Sequence, residues 1–296
     1  MIIAVTGANG SIGKELIPFL ENLGHQVLII SSSTSDSEDN IFSYLDLQNK
    51  QIPFKADILM HLASINSNLE ESQIDDEIDI TKKILSALPS LQCKQIIFFS
   101  TSKVYGDNSF DMNYFEESSP LKPKCYYGKA KKICEELIFL ESKANSLNAL
   151  IFRMPPLLNQ SNNSNIGKLI NLSKRGLPIP SLAQGNLNKR SFISISNIKV
   201  VIDYVLKNTD IIKKNEIYNL TDDSVISINE LLSISGSSRI YSLPMIAGKF
   251  LFRMPILKTI LVKLYGNFVL DNTKLKSDMS VKLKTTAQSI KHLINK

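Results

Sequence analysis

The sequence has few of the residues that characterise disulfide-stabilised, metal-binding or membrane-spanning proteins. Among its 296 residues there are three cysteines and no tryptophan. Cys93, Cys125 and Cys134 are an odd number and lack the short spacings of zinc ligands, so we expect reduced thiols and no bound metal. No apolar run reaches the roughly 18 residues of a membrane-spanning helix, and the apolar start is too short for a signal peptide. We therefore expect a cytoplasmic protein without a stable membrane span.

A large excess of one charge is also missing. The chain has 34 Lys and Arg residues against 28 Asp and Glu residues, which gives a formal net charge of +6. Proteins that bind nucleic acid usually concentrate such charge on one face within a recognisable module, and the sequence shows neither. We therefore expect no nucleic-acid partner, whereas a polyphosphate ligand would need only a few of these cations.

A glycine-rich turn lies between the first predicted strand and the first predicted helix. The strand is Ile2–Thr6, the helix follows the turn, and Gln26–Ile30 reads as the next strand. In this setting one glycine permits the tight turn, a second lets the backbone approach a pyrophosphate, and a third lets the helix pack closely on the strand. The N–H groups at the start of the helix then face the phosphates. The residues expected to contact a dinucleotide here are Gly7, Asn9, Gly10, Ser11, Ile12 and Gly13.

The second strand does not end in the acidic residue that usually holds an adenosine ribose hydroxyl. The chain there reads Ser31-Ser32-Ser33-Thr34, and no arginine stands ready to bind a 2′-phosphate. NAD and NADP therefore both remain open, and hydroxyls without a carboxylate slightly favour NADP.

Strands and helices continue to alternate through the first half of the chain. Ile41–Leu45, Asp57–Leu62 and Gln95–Ser100 read as strands, and Glu77–Leu88 reads as a helix. Alternation of this kind predicts an α/β fold with a doubly wound parallel sheet. We expect a dinucleotide-binding domain over residues 1–155, to which residues 193–221 return, and a smaller C-terminal substrate-binding domain over residues 156–296.

A tyrosine and a lysine are spaced to share one face of a later helix. Tyr127 and Lys131 stand four residues apart, so their side chains are neighbours on a helix, and Thr101 ends the predicted strand before them. A tyrosine with a pKa near 10 is a poor base at neutral pH, but a nearby ammonium group lowers that pKa. These residues therefore suit proton transfer at a hydroxyl or carbonyl group during hydride transfer.

The GxxGxxG turn, the segment STSKVYG over residues 101–106 with its preceding serine, and the Tyr127–Lys131 pair together resemble the extended short-chain dehydrogenases/reductases, the NAD-dependent epimerase/dehydratase family. The resemblance implies a Rossmann-type fold and a catalytic triad of Thr101, Tyr127 and Lys131. It also implies that Asp46 meets the adenine amine. The further cofactor contacts that it implies are Leu47, Leu62, Ala63, Ser64, Lys131 and Pro155.

The C-terminal half resembles the substrate-binding part of bacterial nucleotide-sugar 4-ketoreductases. By this resemblance Asn165 and Arg190 would hold a diphosphate, Leu177 and Ile179 would flank the base, and Ser102 would join Thr101 at the sugar. The implied activity is the NAD(P)H-dependent reduction of the 4-keto group of a UDP-linked deoxy or N-acetyl sugar for surface polysaccharide. The superfamily also implies a possible homodimer. The apolar, lysine-dotted stretch Ile246–Gly266 is interpreted as a helix pair over the substrate domain.

Two other functions stay open. A UDP-hexose 4-epimerase would use the same catalytic residues, although Pro156 stands where such enzymes commonly have an asparagine. A non-catalytic NADP-binding regulator is less consistent with an intact triad. A sugar 4,6-dehydratase is not expected, because Ser102 and Lys103 replace the Asp-Glu pair of that group.

Three further side chains are interpreted as structural or peripheral. His61 follows a strand beneath the cofactor position and is assigned a structural role. Tyr126 is one residue out of register with Lys131, and Tyr105 is assigned to packing or to the substrate loop.

Overall fold

A computed structural model of the chain describes most of its residues. The segments outside the description are 33–39, 49–54, 109–113, 160–170, 172–174, 176–178, 182–188, 236–239, 243–265 and 295–296. The chain forms two compact units. The first unit comprises Met1–Gly106, Pro120–Arg153 and Val201–Tyr218, and the second comprises Asp107–Ser119, Met154–Val200 and Asn219–Lys296. The assignment of cofactor binding to residues 1–155 and of substrate binding to residues 156–296 stays a prediction.

The elements alternate along the first half of the chain and become shorter in the second. The strands are β1 (Ile2–Thr6), β2 (Gln26–Ser31), β3 (Ile41–Ser43), β4 (Ile58–His61), β5 (Gln95–Thr101), β6 (Tyr114–Phe115), β7 (Asn148–Met154), β8 (Leu157–Leu158), β9 (Ile179–Ser181), β10 (Lys189–Arg190), β11 (Ile193–Ser194), β12 (Ile217–Asn219), β13 (Ile226–Ser227), β14 (Ile240–Ser242) and β15 (Val269–Leu270). The helices are α1 (Gly13–Asn22), α2 (Tyr44–Gln48), α3 (Ile74–Ala87), α4 (Tyr126–Asn145), α5 (Ile195–Lys207), α6 (Asp210–Lys213), α7 (Ile228–Ile234), α8 (Thr273–Met279) and α9 (Thr286–Ile294). Single 3₁₀ turns lie at Glu71–Gln73 and Ser102–Val104.

Within the described residues, the central sheet has seven strands in the order β12-β7-β5-β4-β1-β2-β3. β1 runs parallel to both β2 and β4, and Thr6 pairs with Ile30 on one side and His61 on the other. β2 and β3 are parallel, as are β4 and β5. This order is that of a doubly wound Rossmann sheet, whose ligands bind beyond the carboxyl ends of the strands where the order reverses. The predicted fold class is confirmed, and the reversal lies between β1 and β4.

Apolar side chains of the sheet and of helices α3 and α4 form the main core of the first unit. The strands contribute β-branched and aliphatic residues because both faces of a parallel sheet are covered. Fully buried members are Ala4, Leu28, Leu59, Ile96 and Ile151 on strands and Ile84, Ala130, Cys134 and Ile138 on helices. Burial of each leucine or isoleucine side chain among them contributes about 1.5–3 kcal/mol. This core fixes α3 and α4, which carry the residues of the candidate site.

The second unit has its own small core and a buried polar network. Phe192, Leu231 and Ile290 are buried in that core. Asp222 accepts hydrogen bonds from the Ser194 N–H and hydroxyl, both at 2.9 Å, and from the Asn197 amide at 2.6 Å. Burial raises the pKa of Asp222. The network anchors the start of α5 against the later part of the unit.

Two sequence expectations are revised or left aside. The strand predicted over Ile41–Leu45 is wrong beyond Ser43, because a helix turn begins at Tyr44 and carries Asp46 and Leu47. The stretch Ile246–Gly266 lies almost wholly outside the described residues. Among the helices that the structure describes, none has the length and apolar character to cross a membrane.

Candidate active site

The glycine turn follows β1 directly and packs against the exit of β4. Gly7 has a φ of +74°, a conformation that side chains rarely adopt. A Cβ at Gly7 would lie 2.7 Å from the Ala63 nitrogen and 2.8 Å from the Leu62 carbonyl carbon. A Cβ at Gly13 would overlap the Gly7 carbonyl oxygen. Glycine at both positions lets the turn, the helix and the neighbouring strand exit approach one another closely.

The same turn leaves room and polarity for a dinucleotide phosphate. Asn9, Gly10 and Ser11 are exposed at the start of α1. The N-cap residue Ile12 makes no capping hydrogen bond through its side chain. Free N–H groups and the positive end of the helix dipole favour an anion at such a terminus. The tight backbone and the uncapped helix start therefore fit a dinucleotide.

His61 lies beneath this turn and is fully buried. Its Nδ1 is 2.8 Å from the Thr6 hydroxyl oxygen and its Nε2 is 3.1 Å from that of Thr81. Thr6 also accepts the N–H groups of Leu62 and Ala63, at 3.1 and 3.0 Å. Burial, with Lys131 nearby, lowers the pKa of His61 to about 3, so the imidazole stays neutral. This geometry matches the structural role assigned to His61 and orders the Leu62-Ala63 backbone.

Asp46 and Leu47 do not stand at the end of a strand as expected. Asp46 Oδ2 accepts the Ser43 N–H at 2.6 Å and the Ser43 hydroxyl at 2.7 Å, and the Asp46 N–H donates to Ser43 Oγ at 3.1 Å. These reciprocal bonds start α2 and lower the pKa of Asp46. The Leu47 side chain is buried in the core. The contacts of Asp46 and Leu47 with a cofactor stay predictions.

The catalytic candidates lie where β5 ends and α4 begins. Thr101 and Ser102 are buried, and the Thr101 hydroxyl oxygen accepts the Lys103 N–H at 3.3 Å. Helix α4 packs on this 3₁₀ turn so tightly that a Cβ at Gly128 would lie 2.5 Å from the Lys103 carbonyl oxygen. Gly128 follows Tyr127 directly, so this contact holds the tyrosine beside the Thr101 turn.

Lys131 occupies the next turn of α4 and is 1% exposed. Its Nζ lies 5.8 Å from the centroid of the Tyr127 ring and 4.8 Å from that of Phe98. The same ammonium forms an ion pair with Glu77 of α3 at 3.0 Å. Tyr126 points elsewhere, since its hydroxyl donates to the exposed Glu71 carboxylate at 3.3 Å. The structure therefore brings Tyr127 and Lys131 together, with Glu77 as a third member.

The charges around Tyr127 oppose one another. Burial raises the pKa of Tyr127, Lys131 lowers it, and Glu77 raises it. For Lys131, burial acts to lower the pKa, but Tyr127 and Glu77 raise it and the net direction is upward. Lys131 is thus a cation and Tyr127 a neutral phenol in the chain as it stands.

A buried ion pair between Glu135 and Arg153 lies next to the site and holds its elements together. Glu135 of α4 accepts the Ser100 hydroxyl at 2.5 Å, and Arg153 at the end of β7 donates to both Glu135 oxygens. Arg153 Nη2 donates to Glu135 Oε2 at 2.7 Å, and Arg153 Nη1 donates to the Tyr105 hydroxyl at 3.1 Å. These bonds tie β5, α4 and β7 together and place Tyr105 in packing, 2% exposed.

The remaining candidate residues for substrate and cofactor belong to the second unit or lie outside the described residues. Arg190 of β10 donates through Nε to the Gly266 carbonyl at 3.2 Å, and burial lowers its pKa to about 10, so it remains charged at neutral pH. Pro155 is buried, and Ile179 begins β9. Asn165 and Leu177 lie outside the described residues. Their contacts with substrate or cofactor stay predictions.

Comparison with known proteins decides the family. The sequence pattern of the NAD dependent epimerase/dehydratase family matches residues 3–221, which is most of the chain. The chain belongs to this family. It is an NAD(P)-dependent nucleotide-sugar enzyme of the extended short-chain dehydrogenase/reductase type, as predicted.

Individual relatives are distant. A Methanocaldococcus jannaschii protein named "Putative UDP-glucose 4-epimerase" is 26% identical over 260 residues, which cover 79% of this chain and 81% of the relative. An Escherichia coli N-acetyl-alpha-D-glucosaminyl-diphospho-ditrans,octacis-undecaprenol 4-epimerase is 27% identical over 161 residues, covering 54% of this chain and 46% of the relative. The solved structure of Bacillus cereus UDP-N-acetylglucosamine 4-epimerase shares the fold, with a TM-score of 0.75, 18% identity and coverage of 100% and 98%.

Sequence reasoning missed the acidic partners of this epimerase/dehydratase-family site. Glu77 stands three residues from Ile74 and four from Thr81, on the buried face of α3. That spacing alone indicates a carboxylate turned toward the core, where it needs a partner. Glu135, four residues after Lys131, carries the same signal on α4, but neither pattern identifies the partner.

Proposed function

We propose that the enzyme reduces the 4-keto group of a UDP-linked deoxy or N-acetyl sugar. The observation that carries this proposal is the Tyr127–Lys131–Glu77 cluster, in which a half-buried phenol lies beside a buried lysine whose charge is already paired. A phenol in this form is a proton donor, which is the role that carbonyl reduction needs. The relatives named as UDP-sugar 4-epimerases support a sugar nucleotide as substrate and position 4 as the reacting carbon.

The residues divide the reaction in a simple way. Bound NAD(P)H supplies the hydride to carbon 4 of the sugar. The Thr101 hydroxyl orients the carbonyl oxygen, and Tyr127 donates its hydroxyl proton to that oxygen, which becomes the sugar hydroxyl. Lys131 stabilises the tyrosinate that remains until solvent returns a proton. Arg190, as a planar charged donor, holds the diphosphate of the substrate.

A 4-epimerase is the second candidate, and the names of the relatives favour it. In that reaction Tyr127 first takes the proton of the 4-hydroxyl and later returns it on the other face of the sugar. The two activities differ in cofactor balance, since a reductase consumes one NAD(P)H per product and an epimerase consumes none. A non-catalytic regulator would retain its biological role in a Tyr127→Phe variant.

The experiment incubates purified protein with NADH or NADPH and a UDP-4-keto-6-deoxy-N-acetylhexosamine, and counts cofactor oxidised against sugar reduced. One molecule of cofactor oxidised for each molecule of sugar reduced supports the ketoreductase. Conversion of UDP-glucose or UDP-N-acetylglucosamine without net cofactor change would establish the epimerase instead. The same assay, run with each cofactor in turn, identifies the cofactor, which we propose to be NADP. We also propose a cytoplasmic homodimer, and analytical sedimentation of the purified protein tests the dimer.

A further inference from the structure

The buried carboxylate of Glu77 takes no direct part in the proton transfer described above, yet it contacts Lys131 and Ser64, two neighbours of Tyr127. Glu77 is 1% exposed. Its Oε1 accepts the Lys131 ammonium at 3.0 Å and the Ser64 hydroxyl at 2.8 Å, and its Oε2 accepts the Ile65 N–H at 2.7 Å. Three donors on two oxygens hold the carboxylate in a fixed place.

This position of Glu77 weakens the effect by which Lys131 stabilises the tyrosinate form of Tyr127. An unpaired ammonium stabilises tyrosinate as a point charge, whereas an ammonium closed in an ion pair acts as a dipole whose field falls faster with distance. Ser64 lies between Glu77 and Tyr127, because its hydroxyl donates a hydrogen bond to Glu77 and also interacts with Tyr127. Glu77 thus reaches Tyr127 through Lys131 and through Ser64.

Other groups also face Tyr127. The Lys103 ammonium lies 5.6 Å from the centroid of the Tyr127 ring, on the 3₁₀ turn after β5. Cys134 of α4 is buried, which raises the pKa of its thiol and keeps it neutral. Among the described groups, Glu77 is the anion of this set.

We propose that Glu77 is a positioning residue that offsets the charge of Lys131 and keeps Tyr127 as a phenol. The site is thereby set to give a proton to a carbonyl oxygen rather than to take one from a hydroxyl. This deepens the proposed function and rests on it for the direction of the reaction, but the state of Tyr127 can be measured without any substrate.

The measurement is a pH titration of tyrosinate absorbance on the full chain, with and without NADP⁺. The chain has nine tyrosines, so the signal of Tyr127 is the difference between each protein and the same protein carrying Tyr127→Phe. A carboxylate has the same sign as a tyrosinate and disfavours it, so its removal in Glu77→Gln should lower the pKa of Tyr127, by about 1–3 units. The matched control is Asp79→Asn on the same helix, whose exposed carboxylate pairs with Lys82 at 3.2 Å and should leave the titration unchanged. An unshifted titration in Glu77→Gln would overturn the proposal.

A second variant guards against misfolding, since Glu77→Gln leaves the buried Lys131 without its carboxylate. The double variant Glu77→Gln/Lys131→Met removes both charges together. If Glu77 offsets Lys131, Tyr127 in the double variant titrates near its wild-type pKa. If Lys131 keeps its full effect despite Glu77, the double variant titrates well above wild type, and the proposal fails.

The kinetic consequence separates this proposal from the proposed function. Ketone reduction needs the phenol, so its rate falls as pH rises through the pKa of Tyr127, and Glu77→Gln should move that fall to lower pH by about 1–3 units. A shifted titration without any ketone reduction would sink the proposed function and leave the role of Glu77 standing. Ketone reduction whose pH profile is the same in wild type and Glu77→Gln would support the proposed function and overturn the role of Glu77.

Discussion

The close approach of the glycine turn to the exit of β4 makes Gly7→Ala a sharp test of the cofactor site. The left-handed conformation at φ +74° costs an alanine about 1–2 kcal/mol. The new Cβ would also lie 2.7 Å from the Ala63 nitrogen, and overpacking of this kind costs about 1–3 kcal/mol more. The expected loss of unfolding free energy is therefore about 2–5 kcal/mol. At about 2–4 °C per kcal/mol, Tm falls by roughly 4–20 °C.

Gly24→Ala is the matched control. Gly24 has a φ of +81°, but nothing lies within 4 Å of its Cβ position, so alanine there meets strain without overlap. Thermal unfolding should show a loss of about 1–2 kcal/mol for Gly24→Ala and a larger one for Gly7→Ala. NAD(P)H fluorescence should show weaker binding only for Gly7→Ala, because of the two positions only Gly7 lies in the turn proposed to bind the cofactor phosphates. Equal destabilisation, or unchanged cofactor affinity in Gly7→Ala, would refute the reasoning.

Three further predictions concern buried polar groups. Arg153→Met leaves Glu135 as an uncompensated buried charge and should lower the unfolding free energy by about 3–5 kcal/mol in urea, with Glu135→Gln added to recover part of it. His61 has a pKa of about 3, so its replacement by Asn should add or remove no step in the pH–rate profile between about pH 5 and 8, and a lost step would contradict its structural role. Burial raises the pKa of Asp222, so the folded chain binds this proton more tightly than the unfolded chain does. That contribution to stability is present below the unfolded pKa and is lost as pH rises through the folded pKa, and Asp222→Asn should flatten this decline in denaturant melts.

The features that could be predicted from sequence are those whose partners lie close along the chain. The Gly7–Gly13 turn joins adjacent elements, and Tyr127 and Lys131 share one helix face through the 3.6-residue repeat. The alternation of apolar strands and helices predicts the parallel sheet, because each buried parallel strand is a short β-branched run.

The ion pairs of the site depend on contacts between distant segments, and the end of β3 depends on a local capping signal. The partner of Lys131 is Glu77, which lies on a different helix, so its buried position could be read from spacing but its contact could not. The pair of Glu135 and Arg153 has the same limit. The end of β3 at Ser43 does have a local signal, since Ser43 and Asp46 stand in capping-box spacing at the start of α2.

We propose above all that Tyr127 protonates a sugar ketone during cofactor oxidation. Its most direct test follows nicotinamide absorbance with NADH or NADPH and a UDP-4-keto sugar, for the wild-type chain and for Tyr127→Phe. We expect loss of absorbance in step with alcohol product for the wild type, and a rate lower by about 10²–10⁴-fold for the variant, which still binds the cofactor. Unimpaired reduction by Tyr127→Phe, or no reduction by a wild type that binds both ligands, would contradict it.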